Sequence, residues 1–189
     1  MNIRHKTVHP WHDVSPGDNT PEEVTAFIEV PKGSMLKYEL DKKTGFIKLD
    51  RVLYSAVHYP GDYGFIPQTV SEDGDPTDVI IITNFSIVPG TLVKVRPIGI
   101  LEMIDGGERD EKIICVPATS VDPRFAKRKD IMDFSEHVIL EIKHFFETYK
   151  QLQGKHVEIK GVGGKAAAHK AIEEALAAYQ EQAHELKEE

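Results

Sequence analysis

The sequence predicts an α+β fold in one domain. Three observations lead there. Short β-prone segments punctuated by Gly and Pro follow one another from Val24 to Pro117. Two longer segments with helical spacing come after them. The chain has 189 residues, 40% hydrophobic and 29% charged, which suits one compact unit with a sizeable core.

Taken in order, residues 1–23 are polar and hold Pro10, Pro16 and Pro21, and read as a loose N-terminal arm. Val24–Val30 is β-rich and stops at Pro31. Met35–Leu40 and Phe46–Leu53 flank Asp41-Lys42-Lys43-Thr44-Gly45, a hairpin turn. Val79–Val88 is a strongly apolar run closed by Pro89-Gly90. Thr91–Ile104 is β-prone and interrupted at Pro97 and Gly99. Asp105–Glu108 is a turn, and Glu111–Val116 returns as a strand. From Ser135, an N-cap, to about Gln151, apolar Val138, Ile139, Ile142, Phe145, Phe146 and Tyr149 recur at helical spacing. His156–Lys160 is a short strand, and 165–187 an Ala/Glu/Lys-rich C-terminal helix. Gly-punctuated strands with a curled hairpin are compatible with a small closed barrel, although periodicity does not establish closure.

Acidic residues number 31 against 23 basic ones, a formal charge of −8. That balance argues against nucleic-acid binding, which needs a basic face. No apolar run approaches the ~18–20 residues of a membrane span, and residues 1–6 lack the apolar core of a secretory signal. Cys115 is the single cysteine, so an intramolecular disulfide is impossible, which suits a reducing cytoplasm.

The net acidity directs attention to clustered carboxylates. Asp73-Gly74-Asp75-Pro76-Thr77-Asp78-Val79 places three of them at the entry to an apolar strand. Oxygen-rich sets of this kind suit Mg²⁺ or Mn²⁺. Taken alone, the stretch is equally an acidic surface turn. An EF-hand fails, because Asp78 stands where its Gly must be and Asn84 where its Glu must be. Asp105, Glu108, Asp110 and Glu111, beside Lys112, form a second acidic group that alone reads as a solvated hairpin tip. A two-metal site draws carboxylates from more than one segment.

Lys37 and Glu39 share a strand face, with Glu29 and Arg51 on neighbouring strands. Singly, each reads as part of a solvent face, since buried charge is costly unless paired. Tyr59 and Tyr63 bracket a Pro-Gly turn, and Tyr149-Lys150 end the first helix. They are packing residues or hydroxyl and ammonium donors to an anion. Gly161-Val162-Gly163-Gly164-Lys165 is not a phosphate loop, because Ile159 and Ala166 occupy positions that need Gly and Ser/Thr. It reads as a turn into the last helix. His5, His9 and His12 are broken from helical spacing by Pro10, and Cys115 reads as an inert core residue.

The combination resembles family I soluble inorganic pyrophosphatases, prokaryotic type, from about Val24 to Gly154. The likeness lies in the Asp73–Val79 signature, Ile28-Glu29-Val30-Pro31, Lys37-Tyr38-Glu39, Asp50-Arg51, Tyr59–Gly64, Arg96–Gly99, Asp105 with Asp110 and Lys112, and His144–Lys150. Thr77 departs from the aliphatic residue usual there, and altered local packing without loss of chemistry is expected. The resemblance implies a five-stranded OB-like β-barrel with flanking helices and Mg²⁺-dependent hydrolysis of pyrophosphate to two orthophosphates, with Mn²⁺ as a substitute. It implies Asp75 as general base, and Asp73, Asp78 and Asp110 as ligands of tightly held metals. Asp105 would hold a metal arriving with substrate, with Glu29 and Glu39 in the same cavity. Lys37, Arg51, Tyr63, Lys112, Tyr149 and Lys150 would bind phosphate, with Tyr59 in support. It further implies a cytoplasmic homo-hexamer of two trimers, for which the helix bearing His144, Phe145 and Phe146 is a candidate interface or, equally, core. The rival readings are a phosphatase acting on nucleotides or esters and a nucleic-acid-binding barrel.

Overall fold

The computed structural model of the chain describes residues 8–187. Among these residues nine strands and two α-helices succeed one another: β1 (Val24–Val30), β2 (Leu36–Leu40), β3 (Ile47–Val52), β4 (Asp62–Phe65), β5 (Asp78–Ile81), β6 (Leu92–Asp105), β7 (Glu108–Arg109), β8 (Lys112–Pro117), α1 (Glu136–Thr148), β9 (Val157–Gly164) and α2 (Lys165–Leu186). The α+β expectation holds.

Strand β1 pairs antiparallel with β4 and with the start of β6; β4 pairs with β5, β5 runs parallel to β8, and β8 pairs with β6. These five ladders link five strands in a cycle. The β2–β3 hairpin forms a separate two-stranded sheet. The close approach of β4 to β1 depends on Gly64, where a Cβ would lie 1.9 Å from the Phe27 carbonyl oxygen.

Strand β6 is longer than the sequence suggests. Pro97 and Gly99 do not interrupt it; they sit at a bulge, where Pro is tolerated and the strand bends onward to meet β9. Strand β9 also exceeds its expected length. Gly161–Gly164 is extended and paired with β6, because bare backbone fits where side chains would not: a Cβ on Gly163 would fall 2.8 Å from Ile100. The apolar run from Val79, by contrast, leaves the sheet after Ile81. Fully buried Asp62 gathers the chain there, accepting from the Thr83 hydroxyl at 2.5 Å and from the N–H groups of Ile87 and Lys32 at 2.8 and 2.9 Å.

One core cluster lies under α1 and joins Tyr59, Tyr63, Ile98, Phe145, Phe146 and Tyr149. A second packs the ring of strands against α2 through Ile28, Val79, Cys115, Ala168 and Ile172. Phe145 and Phe146 are therefore core, each worth about 1.5–3 kcal/mol of burial, while His144 is exposed. Ser135 stands at the N-cap of α1 but makes no side-chain capping bond.

The described part of the N-terminal lead-in is not loose. Trp11 is 2% exposed and joins a third cluster with Phe27, Phe65 and Tyr179. His12 Nδ1 shares a 2.8 Å hydrogen bond with the Tyr179 hydroxyl, and His9 stacks on His12. His5 lies outside the described residues. Among those residues, no helix is long and apolar enough to cross a membrane.

Candidate active site

The acidic loop before β5 is shaped by its own backbone. Gly74 takes φ +78°, Asp75 N–H donates to Asp73 Oδ1 at 3.0 Å, and Ser71 N–H donates to the Asp75 carbonyl at 2.8 Å. Thr77 is buried, and its hydroxyl finds Ser71 Oγ at 3.1 Å, which satisfies the polar atom that an aliphatic residue would not bring. Asp78 opens β5. Because β5 and β8 run parallel with Val79 opposite Ile113, the residues before them, Asp78 and Lys112, lie side by side. Asp105 ends β6, and Asp110 is held by its N–H on the Met103 carbonyl at 3.0 Å.

These segments face one cavity of about 220 Å³. Asp73, Asp75, Asp78, Asp105 and Asp110 line it with Lys37, Lys112 and Lys150, and Tyr59, Tyr63 and Tyr149 form its aromatic wall. Glu108, a member of the second acidic group, and Arg109 of β7 join them; no motif in the sequence points to Arg109. An adjoining cavity of about 340 Å³ shares Lys37, Tyr63, Asp75 and Asp78 and adds Glu29 and Glu39. Arg51 lines neither, but pairs in register with Lys37 across the β2–β3 hairpin. Its guanidinium contacts Asp50, and its buried Nε has no hydrogen-bond partner. A further cavity of about 330 Å³, behind the acidic loop and against α2, contains none of the predicted site residues.

The cations are set among the acids. Lys112, 2% exposed, contacts both Asp78 and Asp110. Lys150 contacts Asp105, Lys42 contacts Asp75, and Lys37 lies 3.2 Å from Glu39 and 3.6 Å from Asp50. Burial pulls the Lys112 ammonium down, but Asp78 and Asp110 outweigh it and hold its pKa above the ordinary value. Burial pushes the Asp73 carboxyl up, and raises the phenols of Tyr59, Tyr63 and Tyr149 well above the ordinary tyrosine value. The three hydroxyls are thus neutral donors at physiological pH.

Six carboxylates against four cations line the first cavity. The excess negative charge and all-oxygen donors are what a hard divalent cation requires. Among the described residues no three His, Cys, Asp or Glu side chains draw together closely enough to hold an ion, because ammonium groups stand between the carboxylates. The donor chemistry fits a divalent cation.

Glu29 is not on a solvent face. It is 7% exposed, accepts the Leu40 N–H at 2.6 Å, and burial, with Asp78 adding to it, pushes its pKa up to about 8. The folded protein keeps this proton between pH 4.5 and about 8, where the unfolded chain has lost it. Glu29 therefore favours folding below that window, and the benefit fades as pH rises through it. In EDTA, stability by urea denaturation is expected to fall across this range by on the order of 4 kcal/mol more in the wild type than in Glu29→Gln. Parallel wild-type and Glu29→Gln curves would show that Glu29 folds ionised.

Comparison with known proteins places this arrangement in context. The family model for inorganic pyrophosphatase matches residues 26–180. An inorganic pyrophosphatase of Sulfolobus acidocaldarius is 49% identical over 164 residues, covering 86% of this chain and 95% of the relative. Soluble inorganic pyrophosphatase 2 of Chlamydomonas reinhardtii is 46% identical over 173 residues, covering 92% and 89%. The crystal structure of the inorganic pyrophosphatase from Thermus thermophilus aligns with a TM-score of 0.86 at 45% identity, covering 90% of this chain and 99% of that one.

Proposed function

The chain belongs to the inorganic pyrophosphatase family, and on that premise we propose that it hydrolyses inorganic pyrophosphate to two orthophosphates with Mg²⁺ as cofactor. The observation that carries this reading is the single cavity in which Asp73, Asp75, Asp78, Asp105 and Asp110 meet Lys37, Lys112 and Lys150. When bound, Mg²⁺ supplies neutralisation of phosphoryl charge and acidification of water; Mn²⁺ is a substitute. Asp73, Asp78 and Asp110 would hold tightly bound ions and Asp105 a further one, with Glu29 and Glu39 lining the adjoining wall.

Asp75 stands apart from the Asp78–Lys112–Asp110 group, on a loop, and takes the proton of the attacking water. Lys37, Arg51, Lys112 and Lys150 hold the two phosphoryl groups and offset the charge that builds on the departing one. The Tyr63 and Tyr149 hydroxyls donate to it, and Tyr59 supports them through ring contacts at 5.4 Å to Tyr63 and 4.6 Å to Phe145. Phosphoryl transfer depends mainly on such positioning and electrostatic stabilisation. The cycle of five strands supports a barrel of OB-like shape, and buried Cys115 suits a reducing cytoplasm. A homo-hexamer of two trimers follows from the resemblance and is measurable by light scattering.

Phosphate release from pyrophosphate, ATP and a simple monoester, each with and without Mg²⁺, tests the reading. Release from pyrophosphate alone, and only with Mg²⁺, is expected. Release from esters instead would point to a phosphatase. Salt-dependent binding of single strands without hydrolysis would point to a nucleic-acid module.

A further inference from the structure

Resting on the reading of Asp75 as the base, we propose that Lys42 is a positioning residue for that carboxylate and that the segment around Trp11 sets Lys42 in place. Lys42 lies in the turn between β2 and β3, yet its ammonium pairs with Asp75 and donates to the Gly74 carbonyl at 3.3 Å. One cation from a different element thus grips two consecutive residues of the acidic loop. The loop's own bonds, from Ser71 N–H to Asp75 and from Asp75 N–H to Asp73, fix its shape. A contact from outside the loop sets where that shape stands over the cavity.

Lys42 is itself held. Its ammonium lies 5.4 Å from the centre of the Trp11 ring, and its carbonyl accepts from His9 Nε2 at 3.0 Å. His9 N–H in turn donates to Asp13 at 2.9 Å. On its other side the segment is fastened to the connection between β4 and the acidic loop. Buried Trp11 Nε1 donates to the Thr69 carbonyl at 2.8 Å, and Gln68 N–H donates to the Trp11 carbonyl at 2.9 Å. Residues 9–13 therefore tie the hairpin turn to the base-bearing loop, from outside the stretch 26–180 that matches the family. The Lys42–Asp75 pair is about half exposed on both sides, so its contribution to stability is small and its value is geometric. Small misplacements of a reacting group carry large rate penalties.

The test is steady-state phosphate release by the full chain at saturating Mg²⁺, with circular dichroism to confirm folding. Lys42→Met, a surface change that keeps the apolar stem, is expected to lower kcat for pyrophosphate about tenfold and leave KM within about twofold. Lys42→Arg should recover more than half of the lost rate. Trp11→Phe should lower kcat about threefold in the wild type and not at all in the Lys42→Met background. A raised KM with unchanged kcat would make Lys42 a substrate ligand and overturn the proposal, as would wild-type kinetics in Lys42→Met. An equal Trp11→Phe effect in both backgrounds would sever Trp11 from Lys42. A wild type that releases no phosphate from pyrophosphate would instead sink the reading of the reaction itself, and this proposal with it.

Discussion

Asp75→Asn is expected to lower kcat for pyrophosphate by about 10²–10⁴-fold while leaving the fold intact. The amide keeps the size and one oxygen of the carboxylate but does not accept a proton at neutral pH. Its structural cost is small for reasons visible in the loop. The bonds that shape it run through the Asp75 backbone, from its N–H to Asp73 and to its carbonyl from Ser71 N–H, and both survive the change. The side-chain contact with Lys42 is half exposed and worth about 1 kcal/mol or less. The Mg²⁺ concentration giving half-maximal rate distinguishes a base from a ligand. It should stay near the wild-type value in Asp75→Asn, whereas loss of a metal ligand would raise it. A kcat within about threefold of wild type would place the base elsewhere.

What the sequence revealed and what it concealed divides along chain distance. The Asp73–Asp78 cluster was legible because its geometry is local: six residues, a Gly with positive φ and a strand start carry three carboxylates to one place. The helices were legible for the same reason, since α1 and α2 are set by spacing and by the glycine at the start of α2. Glu29 was legible only through the family resemblance, and read by itself it fell on a solvent face. Strand β1 is buried on both faces, so alternation does not tell which side an acid takes. The extended run Gly161–Gly164 was hidden because three glycines read as a breaker until a partner strand needs bare backbone. Asp50, Asp62 and Arg109 acquire meaning only from partners in other elements: Lys37 and Arg51, Thr83, and the cavity wall. Trp11 likewise anchors a polar, Pro-rich segment through one side chain that averages over the segment conceal.

The Lys112→Met variant is expected to lose stability as well as turnover, and the two losses should respond differently to Mg²⁺. Methionine keeps the stem's packing but removes a buried cation that contacts Asp78 and Asp110. Breaking one side of a buried pair costs about 3–5 kcal/mol, and the partial exposure of both acids moves the expectation toward the lower bound. With about 2–4 °C per kcal/mol for a chain of this size, the thermal midpoint in EDTA should fall by about 6–12 °C. Mg²⁺ should narrow that deficit, raising the midpoint of the variant more than that of the wild type, since only the variant lacks its own cation at that point. Turnover should stay depressed even at saturating Mg²⁺, because the ammonium that would hold a phosphoryl group is gone. Calorimetry in EDTA and in Mg²⁺ separates these effects. Equal midpoint shifts in the two proteins would mean that Asp78 and Asp110 do not form the cation site.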